Sequence, residues 1–257
     1  GRRTVTNAGG AFLITLTKEQ PRYVVVIEKL GYRMLSRALY APATDATFRL
    51  YRADDRLVDP TKPIDVTERP PKETRNQTGI RLELKPNSLA QGADGKGPLA
   101  TTPLHVQASS YDLHDPNDQM PGDFGGTDSG GKAYRLGSFG AADVGFRDGA
   151  GNRFNLAPGR TAAVHMPIDP AQLASAPATI PFWHYDTERG LWVRDGNATR
   201  AGNEYVVDVT HFSAVNMDVA FTNAACTRIT VDTGIMAVPF RLRMTPVTGN
   251  FTIDGGH

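Results

Sequence analysis

The residues with the clearest capacity for chemistry on the chain itself stand together at His211-Phe212-Ser213. A serine hydroxyl directly after a peptide carbonyl, with an imidazole two residues upstream, suits self-cleavage. Ser213 Oγ would attack the Phe212 carbonyl, His211 would take the hydroxyl proton, and water would open the resulting ester. The step also needs backbone strain that lifts the ground state of that peptide bond. The reading preferred on sequence is simpler: the tripeptide closes a strand, with His211 and Ser213 satisfying strand-end hydrogen bonds and Phe212 packed inward.

Two further groupings carry possible chemistry. Asp112, Asp115, Asn117, Asp118 and Asp123 crowd one stretch, with Asp128 nearby. Hard oxygen donors on a loop suit calcium, although the ligand positions and terminal Glu of an EF-hand loop are absent. The alternative is a solvated loop of Asx-turns. The stretch from Asp143 to Asn152 would add oxygens if the fold brought it close. Trp183, Tyr185 and Trp192 could form a platform for sugar rings, or they could fill a core. In an extended strand Phe182 and His184 share one face while Trp183 and Tyr185 share the other.

Several chemistries lack their signatures. The six histidines, His105, His114, His165, His184, His211 and His257, show no zincin or zinc-finger spacing. No Gly-x-Ser-x-Gly elbow is present. The glycines at 122, 125, 126, 130 and 131 are not followed in register by a P-loop lysine. Cys226 is the single cysteine, which excludes an intramolecular disulfide and a cysteine-based zinc site. Sequons at Asn76, Asn197 and Asn250 would matter only in a eukaryotic secretory route. Lys plus Arg number 28 against 27 Asp plus Glu, a net +1 without long basic runs, so nucleic-acid binding by bulk charge is not expected. No apolar run approaches the roughly 18–20 residues of a membrane-crossing helix.

These residues need elements to position them, and strand patterns dominate. Residues 81–85, 104–108 and 240–244 alternate polar and apolar with period two. Turn signals intervene at 93–97, 147–152 and Asp195-Gly196-Asn197. The 26 glycines and 18 prolines are spread along the chain, as many short strands and tight turns require. Asp169, ahead of Pro170, is the one helix start, good for a turn or two up to Ser175. The expectation is an all-β chain of tandem sandwich modules: residues 1–75 as a small sandwich plus linker, 76–222 as a central sandwich, and 223–257 as the start of an incomplete third. The Pro- and charge-rich stretch from Asp59 to Glu73 reads as the connection.

Resemblances sharpen this. The run Val26-Ile27-Glu28-Lys29-Leu30-Gly31-Tyr32, followed by a Thr47-Phe48-Arg49-Leu50 strand, resembles carboxypeptidase-regulatory-like (transthyretin-like) modules. The central region resembles the extracellular β-sandwich modules of cartilage intermediate layer protein and of bacterial surface proteins. The matching residues are Ile80-Arg81-Leu82, Pro86-Asn87-Ser88-Leu89, Met120-Pro121-Gly122-Asp123-Phe124, Gly151 through Gly159, Ile180 through Asp186, Gly190-Leu191-Trp192 and His211-Phe212-Ser213. The His-Phe-Ser end is also similar to the netrin-receptor and ankyrin sandwich, some intracellular relatives of which cut themselves between Phe and Ser. These resemblances imply a non-enzymatic structural, adhesive or assembly segment of a larger protein, located outside the cell, at its surface or in the periplasm. Its partners would be other protein modules or surface polymers. No cofactor is implied, with calcium as the possible exception.

Overall fold

The computed structural model describes residues 2–16, 18, 20–40, 46–70, 79–115, 118, 120–122 and 124–222, with the backbone of 241–244 and 253–256. Among them the chain is all-β, without a helix. The strands in order are β1 (Arg22–Ile27), β2 (Leu35–Tyr40), β3 (Asp54–Val58), β4 (Ile64–Thr67), β5 (Arg81–Leu84), β6 (Leu89–Gln91), β7 (Leu104–Ser110), β8 (Gly125–Thr127) and β9 (Ala133–Arg147). They continue as β10 (Arg153–Leu156), β11 (Ala162–Pro167), β12 (Thr179–Asp186), β13 (Leu191–Ala201), β14 (Glu204–Val209), β15 (Ala214–Phe221), β16 (Arg241–Met244) and β17 (Ile253–Gly256).

The alternation read from the sequence sets which side chains point inward. In β5 Leu82 and Leu84 are buried while Arg81 and Glu83 face out. In β7 Leu104, Val106 and Ala108 are buried. The main hydrogen-bonded ladder runs β3-β7-β9-β15-β12-β13-β14-β11-β5-β4. Its halves share one apolar core, in which Val106, Val144, Phe146, Ile180, Phe182 and Met217 join Leu82, Val164 and Tyr205. The sheets are thus consistent with a β-sandwich, and each such side chain gains roughly 1.5–3 kcal/mol from leaving water. Strand β13 turns the ladder from one half to the other: it pairs with β12 over Leu191–Thr199 and with β14 over Thr199–Ala201.

At the far ends of the ladder, β3 and β4 are consecutive in the chain and linked by a tight turn. Asp59 Oδ1 accepts from Thr61 N (3.0 Å) and Thr61 Oγ1 (2.6 Å). The Arg56 guanidinium donates to Asp54 and to the Thr67 carbonyl, and Arg69 N donates to Asp54 Oδ2 (2.7 Å). These bonds staple the two end strands.

This corrects the expected connection. Residues 59–63 form a turn within the sheet. The expected boundary at 75/76 does not separate it either, because β3 and β4 pair with β7 and β5. Residues 47–50 form no strand, and 169–175 form successive turns, with Asp169 Oδ1 accepting from Ala171 N (2.8 Å). Residues 71–78 and most of the expected third module, Cys226 included, lie outside the described residues; β16 and β17 pair antiparallel there.

A second core backs the first. Short β8 pairs antiparallel with β9 and parallel with β13, so β9, β8, β13, β12 and β15 close a ring. Trp183, Tyr185, Trp192, Tyr111, Met120, Leu136 and Ala214 pack together there. Trp183 Nε1 donates to the Asp218 carbonyl (3.1 Å) and Trp192 Nε1 to the Pro121 carbonyl (3.0 Å). The β1–β2 side of the chain docks on this region. Ser36 Oγ and Tyr185 OH lie 2.9 Å apart, and Arg22 donates to the carbonyls of Arg189 (2.9 Å) and Gly190 (2.8 Å). Gly190 has φ +65°, and a Cβ on it would come within 2.5 Å of Val24 Cγ2, so this close approach requires glycine.

Asp218 is fully buried next to the second core. Burial pushes its carboxyl up to about 8, against the smaller opposing effect of hydrogen bonds from Ser138 and Asn216. The folded chain therefore keeps this proton to about pH 8, whereas the unfolded chain loses it near 3.8. The stability linked to this group is complete below the unfolded value and falls as pH rises through the window to about 8, by ~1.4 kcal/mol per pH unit for one proton. Urea unfolding across that window should show the fall in wild type and a flatter profile in Asp218→Asn. An unchanged slope would contradict the assignment.

Candidate functional site

The His-Phe-Ser segment lies between β14 and β15, and its centre is held by one buried amide. Asn155, in β10, accepts at Oδ1 from Phe212 N (2.7 Å) and Leu156 N (2.8 Å). Its Nδ2 donates to the carbonyls of Phe212 (3.1 Å) and Ala93 (2.8 Å). The Phe212 ring packs on Phe146 with centroids 4.9 Å apart. Ser213 Oγ donates to the Ala214 carbonyl (3.1 Å). Among the described residues the non-glycines with positive φ are Asn87 and Phe124, so neither Phe212 nor Ser213 carries left-handed strain.

His211 meets two residues that sequence spacing did not connect to it. Its ring lies edge-on to His184, 4.6 Å between centroids at 85°. His184 projects from β12 on the Phe182 face. Asp195 reaches the pair through a β-bulge: Phe182 opposes Gly196 and Trp183 opposes Arg194, leaving Asp195 as the extra residue. Gly196 has φ +145°, a conformation glycine adopts without strain. Asp195-Gly196-Asn197, expected as a turn, is therefore an irregularity inside β13. Asp195 Oδ2 lies 3.4 Å from His184 Nδ1 and 3.8 Å from His211 Nδ1. Burial first, and His184 second, push the His211 pKa down against the pull of Asp195. The shift favours the neutral imidazole.

His184, His211, Phe212 and Ser213 line a cavity of about 300 Å³, with Glu28 and Asp143 also on its walls. Glu28 is held by Arg147 (3.1 Å) and by Arg153. Asp143 Oδ2 accepts from Met34 N (2.8 Å), and burial raises its pKa. A broader groove of about 980 Å³ runs between residues 110–115 and 166–173, where His114 and Asp169 pair with each other.

The other expected site residues that the structure describes have different surroundings. Trp183, Tyr185 and Trp192 are buried in the second core and present no platform to a sugar, because their ring faces are consumed by packing. In the acidic stretch, Asp118 is buried and gives both carboxylate oxygens to Arg33, while its Oδ2 also accepts from Asp112 N (2.8 Å). The Arg33 guanidinium lies 3.8 Å from the Tyr111 ring centroid. Asp112 Oδ1 accepts from His114 N (2.9 Å), an Asx-turn. Asp128 and Asp148 likewise bond their own loops, through Gly130 N and Lys132 N, and through Ala150 N and Asn152 N. Asn117 and Asp123 lie outside the described residues. Among the described residues, the Asp118 carboxylate is thus committed to Arg33 and to Asp112 N, and the Asp112 carboxylate to local backbone.

Fold and site define an all-β protein in which a His-His-Asp cluster borders a small cavity. Compared with family models, with curated proteins and with solved structures, the chain matches none. Asn155, His184 and Asp195 were not singled out as functional by sequence reasoning. The one available signal was that His184 and Phe182 share a strand face; the bulge that brings Asp195 in has no signature separable from a turn.

Replacing Asn155 with Ala leaves Phe212 N–H and C=O buried without their partner. Urea unfolding should show a loss of about 2–4 kcal/mol, against less than about 0.5 kcal/mol for the exposed Asn203→Ala.

Proposed function

We propose that this chain is a non-enzymatic structural or assembly segment of a larger multidomain protein, placed outside the cytoplasm at a cell surface or in the periplasm. Its β-sandwich would be of the Ig-like or transthyretin-like kind, and its partners would be other protein modules or surface polymers. The observation that carries this reading is that β12, the strand richest in aromatic residues, is buried on both faces. Trp183, Tyr185 and Trp192, which could have formed a sugar platform, instead join the second packed core. Polar side chains inside are largely committed to internal partners: Asn155 to Phe212, Arg33 to Asp118, and Glu68 to Ile80 N (3.2 Å) and Ser110 N (2.8 Å). No helix among the described residues is long and apolar enough to cross a membrane. Binding would fall to exposed loops and to the β1–β2 hairpin.

A second reading, self-cleavage at Phe212-Ser213, is favoured by one observation: Asn155 Nδ2 donates to the Phe212 carbonyl, the bond that Ser213 would attack. Against it, Ser213 Oγ is turned to the Ala214 carbonyl. A denaturing gel of the purified chain separates the two. The structural reading expects a single band at 27.8 kDa. Fragments of about 23 and about 5 kDa, the shares of residues 1–212 and 213–257 in that mass, that vanish in Ser213→Ala would replace it with self-cleavage.

A further inference from the structure

We propose that His184, His211 and Asp195 form a binding site for a first-row divalent cation, zinc foremost, with one coordination position left open to the adjoining cavity. Among the described residues this is the sole cluster of three or more histidine and acidic side chains whose ligand atoms converge, all within 4.8 Å of one another. The separations of 3.4 and 3.8 Å between Asp195 Oδ2 and the two Nδ1 atoms suit tetrahedral coordination. Bonds of ~2.0–2.2 Å at tetrahedral angles place ligand atoms roughly 3.3–3.6 Å apart. A cation at the centroid would draw His211 inward from its 3.8 Å separation from Asp195, with the two imidazole ligand atoms starting within 4.8 Å of each other.

A second, independent observation points to a missing partner. His184 Nδ1 is shielded from solvent and has no hydrogen-bond partner. The Asp195 carboxylate stands 3.4 Å away without bonding it. A buried nitrogen with an unused lone pair or proton is costly, and a metal ion at that point would satisfy it. The other described histidines, His105, His114 and His165, are placed differently. His105 is paired with Asp55 (2.8 Å) and His165 with Glu204 (2.8 Å), each imidazole in direct contact with a carboxylate.

The donor set decides the class of ion. Two imidazoles and one carboxylate suit zinc, cobalt or nickel, whereas calcium demands six or more oxygens. Three protein ligands leave the fourth tetrahedral position for water or an incoming group. That position would face the cavity lined by Glu28 and Ser213. The scaffold holds the three ligands firmly in place. His184 is on a central strand, Asp195 is aimed by a bulge, and His211 precedes Phe212, whose backbone is clamped by Asn155.

The test uses the purified chain, stripped with chelator and titrated calorimetrically with zinc chloride. The expected result is saturable 1:1 binding, a zinc-dependent rise in Tm by mass action, and visible absorption of tetrahedral character when cobalt(II) replaces zinc. Asp195→Asn and His211→Gln should each bind on the order of 100-fold more weakly, at or beyond the loss that follows removal of an outer partner. His114→Gln, which changes a histidine–aspartate pair elsewhere on the surface, should bind as wild type does. Tm in chelator reports whether each variant is folded, and Asp195→Asn, a part-exposed position on the bulge, keeps the test decisive if a histidine variant fails to fold. Absence of saturable binding, or affinity unchanged in Asp195→Asn and His211→Gln, would overturn the proposal.

Discussion

Strand β12 is wedged between two apolar cores, and the arrangement of its neighbours follows from that position. Ile180 and Phe182 face the main core, and Trp183 and Tyr185 face the second. A strand covered on both sides cannot slip by one residue. The slip would exchange Trp183 with the smaller Phe182 and detach the indole N–H from the Asp218 carbonyl. With β12 fixed, β13 and β15 are fixed on either side by their registers, and β8 and β9 complete the ring. Well-packed aromatic pairs, such as Tyr185 with Trp192 at 5.2 Å and Tyr134 with Trp183 at 5.8 Å, set the spacing inside that ring.

The buried polar groups connect parts of the chain that are distant in sequence. Arg33 joins the N-terminal residues to Asp118 and to the Ser110 carbonyl (3.0 Å). Glu68 joins the end of β4 to Ser110 at the end of β7. Asn155 joins β10 to the segment before β15. Each brings a group into a poorly solvating interior, where it is tolerable only with its partners in place. Such bonds therefore specify relative placement: a strand that docked elsewhere would leave a charge or an amide unmatched. In the acidic stretch the same holds for Asp118, whose buried carboxylate is neutralised by Arg33.

The candidate site arises where the regular ladder fails. Without the bulge, Asp195 would occupy an ordinary position opposite β12. The extra residue re-aims its carboxylate at His184 and His211, and Gly196 at φ +145° takes the backbone distortion. A departure from regular structure that gathers three potential ligand atoms contrasts with the tryptophans, whose regular alternation consigned them to packing.

Much of the architecture was legible from residue order, because alternation is a local property. Leu82 and Leu84, or Val106 and Ala108, face inward wherever their strand happens to lie, and the period-two reading of β5, β7 and β12 needs no knowledge of neighbours. Even the split of Phe182 from Trp183 followed from parity alone. Pairing is nonlocal, and there the reading from order stopped. A proline-rich run looks like a connection until β3 and β4 are seen stitched into opposite ends of one ladder. An aspartate–glycine pair looks like a turn until its neighbours are hydrogen-bonded through it. The meeting of His184, Asp195 and His211, separated by 11 and 16 residues in the chain, depends on strand register and one bulge. Sequence determined the inward faces of strands such as β5, β7 and β12, because alternation is local; only the tertiary structure decided the pairing of β3 and β4 and which side chains share a point in space.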